Sequence, residues 1–413
     1  MDEQRYVVLE TRSSGAVKRG QRRGPPSADR PTTAAVSVES FTPSDAADAR
    51  RAPQVAVAPV LPMKLVEPVT KLDADTPMSP GSAWGVEAVG AIDCAFSGDG
   101  IKVAVLDTGI DASHEAFRGL RLTQRDFTGD GDGDRDGHGT HCAATIAGRD
   151  INGYRYSVAP GVDELLVGKV LGSDGGSTEA LMRAMLWALE SGAHVMSMSV
   201  GLDFPGLVAQ WTENGMALQP ATSRALEGYR DNLRLFGRLA DLIGASGRHG
   251  PAALVVAATG NESQREAAIP YTIGVAPPAA SEGFVAVAAV RRTSDGAFEV
   301  AEFSNSGASV AAPGTDILSA SVGGGFTVMS GTSMATPHVA GVAALWAESL
   351  LASTGRIDLS LLFARLTGTS QELPGLDSLD VGAGLVRAPS GPAGVPEEAP
   401  WHGRRRMRSS GRP

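Results

Sequence analysis

Four short apolar runs recur through the middle of the chain: Ile101–Leu106, Leu165–Leu171, His194–Val200 and Ala253–Ala258. Each stops at a glycine or a polar residue. Near-continuous β-branched runs of this length suit strands buried on both faces, as in parallel sheets. Between the second and third lies Glu179–Ser191, with Leu181, Met185, Leu186 and Leu189 on one helical face. Phe284–Val290 adds a further strand, and Phe303–Gly307 and Ala311–Gly314 read as turns. Alternating strands and helices predict an α/β domain of three layers, a mostly parallel central sheet with helices on both faces. In such sheets ligands and chemistry collect at the carboxyl ends of the strands.

Polar residues at those edges carry the functional reading. Asp107 ends the first run in Asp107-Thr108-Gly109; a turn residue and a catalytic acid are both open there. His138, in Gly137-His138-Gly139-Thr140-His141, opens a small-residue helix and has no apolar surface to explain it. Asn261 ends the fourth run as a turn residue or as an amide donor. Ser333 lies in Gly331-Thr332-Ser333-Met334-Ala335-Thr336-Pro337, ahead of an apolar helix. It is an N-cap or a nucleophile placed beside the positive end of the helix dipole. Pro337 is expected within the first turn of that helix, where a missing N–H costs little.

Proline and charge divide the chain. Ten of the 25 prolines precede residue 83 and five follow residue 387. The expected organisation is therefore a Pro/Ala-rich extension over 1–82, a packed domain over 83–387 and a Pro/Gly/Arg-rich tail over 388–413. Within the extension Arg5–Glu10 and Val55–Val57 suit strands and Ala46–Arg51 a weak helix, too thin for an independent core and so expected as a solvated tail. The net charge of −10 is carried by the middle, with about −14 there by difference. Phosphate would be repelled, which argues against nucleic-acid binding. No apolar run approaches bilayer length, and no signal peptide is visible behind Met1. The cytoplasm, or export by an unrecognised route, is the expected location. Cys94 and Cys142 are too few for a disulfide scaffold and read as small buried hydrophobes.

An acid, an imidazole, an amide and a hydroxyl, each at a strand edge or helix start, form the inventory for acyl transfer. Ser333 would attack a carbonyl carbon, His138 would carry the proton and Asp107 would hold the imidazole. The Asn261 amide and the Ser333 backbone N–H would bind the oxyanion. The three motifs, in the order Asp, His, Ser, resemble the active-site signatures of the subtilisin-like serine proteases, or subtilases, and Ala257–Asn261 matches that family's oxyanion asparagine. The resemblance covers about residues 83–387 and implies the subtilisin-like three-layer fold and serine endopeptidase activity on a polypeptide substrate, as a monomer.

By the same resemblance, Gly172–Gly176 (with Gly175) and Ser199-Val200-Gly201 look like the two segments that flank an extended peptide. Ala258, Thr259 and Gly260 would wall the pocket for the residue before the cut. Substrate would bind by strand addition. Cys142 is similar to the free cysteine of proteinase K-like members, which implies sensitivity to mercurials. No cofactor is required for the chemistry. The alternating Asp130–Asp136 loop resembles part of a calcium loop, but His141 stands where the EF-hand pattern requires Glu. The family's usual calcium site is not supported either, since Ala116 replaces an expected Asp and Arg149–Arg155 carries arginines. The segment 203–250 reads as an amphipathic helical insertion that packs on the domain, with Leu226, Tyr229, Leu233, Phe236 and Leu239 at helical spacing; it follows the substrate segment directly and would narrow access. Residues 5–10 and 55–68 resemble the ends of a reduced propeptide. Two other readings remain beside a general endopeptidase: a narrow maturation protease inside the cell, and a protein that binds peptides without cutting them.

Overall fold

A computed structural model describes residues 3–13, 32–75, 79–246 and 252–390. The expected tail over 388–413 falls mostly outside the described residues, and the end of the 203–250 segment does too. The N-terminal part contains β1 (Gln4–Ser13), β2 (Thr32–Phe41), α1 (Pro43–Ala49), β3 (Val55–Pro59), β4 (Pro62–Leu65) and β5 (Thr70–Ala74). The strands and helices that follow include β6 (Lys102–Asp107), β7 (Arg121–Asp126), α2 (His138–Ala147), β8 (Glu164–Lys169), β9 (Leu171–Gly172), β10 (Gly175–Ser177) and α3 (Thr178–Glu190). Then come β11 (Val195–Met198), β12 (Val200–Leu202), α4 (Phe204–Glu213), α5 (Leu218–Ser246), β13 (Leu254–Ala258) and β14 (Phe284–Arg292). Further along are β15 (Phe298–Val300), β16 (Val310–Pro313), β17 (Ile317–Ala320), β18 (Phe326–Ser330), α6 (Thr332–Thr354) and α7 (Leu359–Gly368).

The central sheet runs β15-β14-β13-β11-β6-β8-β7, with β16 also on β14. Every pairing in it is parallel except β14 with β15. Alternate residues of one strand feed different cores, as the period of two requires. Val103 and Val105 join the core containing α2 and α6, whereas Ala104 and Leu106 join the one containing α3 and α5. Helices therefore cover both faces, and every residue of β8, β11 and β13 is buried.

Two local expectations are corrected. Ala311–Gly314, read as a turn, lies largely in β16, paired in parallel with β14. Its small residues give no alternating signal, and Pro313 is tolerated because it ends the strand. Pro337 sits inside α6, beyond the first turn. Its missing N–H leaves the carbonyl four residues earlier, that of Ser333, without its helical partner.

The N-terminal extension is not a solvated tail. β2, β1 and β3 form an antiparallel sheet. Tyr6 and Val8 on one face pack with Ala46 of α1 and Val57, while Val7 and Leu9 on the other enter the core with α3 and α5. The sheet obtains its second covered face from the main domain, which sequence composition alone does not reveal. The Arg50 guanidinium meets Asp231 at 2.5 Å, Arg238 donates to Pro53 O at 2.8 Å, and the buried Asn232 amide donates to Pro59 O at 3.1 Å. Arg5 pairs with Glu179. The helical insertion thus packs on the domain and seats the N-terminal sheet. Among the described residues no helix is long and apolar enough to cross a membrane.

Asn232 is the buried hydrogen-bond link between α5 and the end of β3. Replacing it by Ala leaves Pro59 O without that donor and should cost about 1–3 kcal/mol. Limited proteolysis should then release the N-terminal sheet sooner than in the unaltered chain. Equal release rates and equal denaturant midpoints would remove Asn232 as an anchor.

Candidate active site

Asp107 ends β6 at its carboxyl edge and is buried. Its Oδ1 lies 2.8 Å from His138 Nδ1 and accepts the Thr108 N–H at 2.8 Å. His138 is the first residue of α2, whose N-cap Gly137 has φ 97°, a left-handed conformation that glycine adopts without strain. Gly139 permits the close approach that brings the pair together, because a Cβ there would stand 2.2 Å from Gly109 O. Burial alone would lower the His138 pKa. The adjoining Asp107 carboxylate opposes it, with Cys142 assisting, and the result lies well above the usual imidazole value.

One residue holding this geometry was not singled out by the sequence pattern. Asp134 accepts from Thr108 Oγ1 at 2.9 Å and Gly137 N at 3.0 Å with Oδ1, and from Thr140 N at 2.9 Å and Thr140 Oγ1 at 2.7 Å with Oδ2. It ties the Asp107 loop to the start of α2. In sequence it is one of several alternating acids, and only the fold distinguishes it. Its neighbours are spent on similar work: Asp126 accepts from Gly129 and Gly131 N–H groups, and Asp130 from Ser173 N at 2.7 Å.

Ser333 sits in the first turn of α6, after Gly331. A Cβ on Gly331 would come 3.0 Å from Asn261 Nδ2. The carbonyl of Ser333, released by Pro337, lies 3.4 Å from Cys142 Sγ and 3.5 Å from Ser199 Oγ, both of which donate to it. Cys142 Sγ is also 3.7 Å from His138 Nδ1, so this buried thiol lies between the imidazole and the serine backbone. The Ser333 hydroxyl donates to Val66 O at 2.7 Å. His138 Nε2 is buried and has no hydrogen-bond partner among the described residues. The expected serine–histidine hydrogen bond is therefore not made in this state.

Asn261 is oriented by its neighbour. Its Oδ1 accepts from Thr332 N and Thr332 Oγ1, each at 2.8 Å, which leaves Nδ2 to donate to Glu67 O at 2.7 Å. Asn305, read in the sequence only as part of a turn, braces this loop by accepting from Ser263 N at 3.1 Å and donating to Thr259 O at 3.1 Å. Ala258, Thr259 and Gly260 carry the chain from the end of β13 to Asn261, and Gly260 N donates to Thr332 Oγ1.

The two glycine-bearing segments flank an extended strand, and that strand is the chain's own. A four-stranded antiparallel sheet runs β9-β10-β4-β12. Gly172 and Gly175 pair with each other at its outer side, Gly176 pairs with Met63, Val200 with Leu65 and Gly201 with Lys64. Val66 N then donates to Ser199 O at 3.1 Å. Beyond Pro68, Val69 N donates to Ser330 O and β5 pairs antiparallel with β18. Residues 62–74 thus cross the whole site. Successive carbonyls meet the hydroxyl and the amide, Val66 O on Ser333 and Glu67 O on Asn261.

At the position where the family resemblance implies a calcium carboxylate, Ala116 is buried and its carbonyl accepts Arg149 N. Arg149 O accepts the Tyr156 hydroxyl, and the Arg155 guanidinium reaches Ser157 O and Val158 O. No carboxylate stands at 116, and the carbonyls named here accept from donors of the chain itself.

A model described as the subtilase family matches residues 98–356. The intracellular serine protease of Paenibacillus polymyxa is 34% identical over 257 residues, 60% of this chain and 67% of the relative. The major intracellular serine protease of Bacillus subtilis is 34% identical over 258 residues, 60% of this chain and 68% of the relative. Subtilisin DY of Bacillus licheniformis is 33% identical over 298 residues, 70% of this chain and 90% of the relative.

Two further histidines are held neutral beside the site. Burial pushes His141 down to about 3 and His338 down to about 4. His338 Nδ1 donates to Met334 O at 2.8 Å within α6. In the unfolded chain both take up a proton near pH 6.5, so acid favours unfolding. Their contribution is complete above about pH 6.5 and is lost as pH falls toward 4, by up to about 1.4 kcal/mol per pH unit for each group. His338→Gln should flatten the fall of unfolding free energy between pH 6.5 and 4.5. Parallel profiles for the two proteins would contradict this assignment.

Proposed function

We propose, for a chain that belongs to the subtilase family and is a serine endopeptidase, that peptide bonds are cut through an acyl-enzyme on Ser333. The Oγ of Ser333 bonds to the carbonyl carbon while His138 Nε2 takes its proton. Asp107 Oδ1 holds the opposite N–H and stabilises the imidazolium. The Asn261 amide and the Ser333 N–H receive the oxyanion. Collapse of the tetrahedral adduct breaks the carbon–nitrogen bond, and the leaving amine takes the proton from His138. Water then enters by the same route, giving up a proton to His138, and the ester bond to Ser333 breaks as the hydroxyl recovers it. No cofactor enters catalysis in this family, and we assign no calcium to the 116 and 149–155 region.

The observation that carries this reading is the strand Pro62–Leu65 seated between β10 and β12 with the Val66 carbonyl on the Ser333 hydroxyl. It occupies the path of an extended polypeptide substrate. We read residues 1–82 as a segment that occludes a catalytic domain spanning 83–387, with 388–413 as an appended tail. The groove and its four proposed catalytic groups come from one chain, so the reading requires no second subunit. Relatives named intracellular serine proteases support action inside the cell, and the narrower role of a maturation protease is compatible with them.

A fluorophosphonate probe should label the chain once the strand is displaced, and Ser333→Ala should abolish labelling and turnover while retaining the fold. An adduct that persists in Ser333→Ala would reject Ser333 as nucleophile. Mass spectrometry of the two proteins should show a new terminus at Glu67 only where Ser333 is present. Asn261→Ala should lower kcat by about 10²–10³-fold with little change in KM, the loss known for the oxyanion asparagine of subtilisin and taken from that enzyme. An unchanged kcat would take Asn261 out of the mechanism.

A further inference from the structure

The strand in the groove also records what the groove selects. Leu61, Met63, Leu65 and Val66 are buried, whereas Lys64 between them points outward, with its side chain 45% exposed. Its Nζ is 3.4 Å from Asp203 Oδ1 and 3.9 Å from Glu262 Oε1. These acids come from different sides of the site. Asp203 follows β12 and caps α4, and Glu262 follows Asn261.

Both carboxylates are held without help from the lysine. Asp203 Oδ1 accepts Gly206 N at 3.1 Å, and Glu262 Oε2 accepts Asn305 Nδ2 at 2.7 Å. Among the described residues neither acid is paired with a second cation. A carboxylate pair fixed in advance loses little freedom on binding a cation, whereas a floppy surface pair does.

We propose that Asp203 and Glu262 form a subsite for a basic side chain on the substrate, two residues before the residue whose carbonyl meets Ser333. Lys64 is the stand-in for that side chain. The proposal rests on the endopeptidase reading and adds the substrate class: polypeptides with Lys or Arg at that place, flanked by apolar residues where Met63, Leu65 and Val66 lie. The pair is partly exposed, so its effect is selectivity of modest size.

The test uses the full-length chain after incubation that allows it to trim itself. Three internally quenched peptides share the run Met-Xaa-Leu-Val before the cut and carry Lys, Gln or Glu at Xaa. The expected kcat/KM for Lys exceeds that for Gln by about three- to tenfold, with Glu lowest. That ratio should shrink when salt rises from 0.05 to 0.5 M, because the groups are open to solvent. The double substitution Asp203→Asn and Glu262→Gln keeps the cap and the Asn305 contact and should bring the Lys-to-Gln ratio close to one. Equal rates on Lys and Gln peptides in the unaltered protein, or an unchanged ratio in the double variant, would overturn the subsite while leaving the protease reading intact. Failure to cut any of the three would overturn the protease reading and the subsite with it.

Discussion

The antiparallel pairing of Pro62–Leu65 with two separate edges is the interaction from which the state of the site follows. One edge comes from the loop after β8 and the other from the end of β11, so the inserted strand joins parts of the domain that do not otherwise pair. It brings Val66 O to the Ser333 hydroxyl and thereby leaves His138 Nε2 alone in a buried position. A hydroxyl that donates to a neighbouring carbonyl is not donating to the imidazole. The Asn261 amide meets the next carbonyl along, so the two groups that the proposed mechanism sets on one carbonyl are divided between two.

Beneath that strand the scaffold is rigid for reasons written into small residues. Gly139 and Gly109 allow the helix carrying His138 to meet the loop after Asp107, and Asp134 fastens the two by accepting from Thr108 on one side and from Gly137 and Thr140 on the other. Across from them, Pro337 releases the Ser333 carbonyl to the Cys142 thiol and the Ser199 hydroxyl. A residue that would merely weaken an ordinary helix here links the serine to both the histidine helix and the segment that leads into β12.

Much of this was legible in the sequence because it depends on short-range pattern. The buried strands announce themselves by apolar runs, and the acid, imidazole, amide and serine each stand where such a run or a helix ends. Two strands and the helix of the N-terminal part were legible as elements, but their packing was not, since the second apolar face of the sheet is covered by α3 and α5, far away in sequence. Strand β16 was missed because Val-Ala-Ala-Pro carries no alternation, and Asp134 because the loop holds several equivalent acids. The segment 55–68 could be likened to the end of a propeptide, but the pairing of Pro62–Leu65 could not be read: a four-residue strand has no signature of its own until its two partners are in place. Lys64 carries no signal in the sequence for the same reason, as its two acids lie more than a hundred residues downstream.

The path of the strap has a kinetic consequence. Residues before Val66 pair with β10 and β12, whereas residues after it pair with β18. A single scission at the serine would free the upstream half to diffuse away with the N-terminal sheet. The downstream half would stay tethered to the body of the enzyme through residues 75–83. A tether that short keeps its strand at an effective concentration of order millimolar beside β18. The side of the groove that receives the leaving part of a substrate would then stay partly filled, and full turnover would wait for a second trimming event nearer the domain boundary.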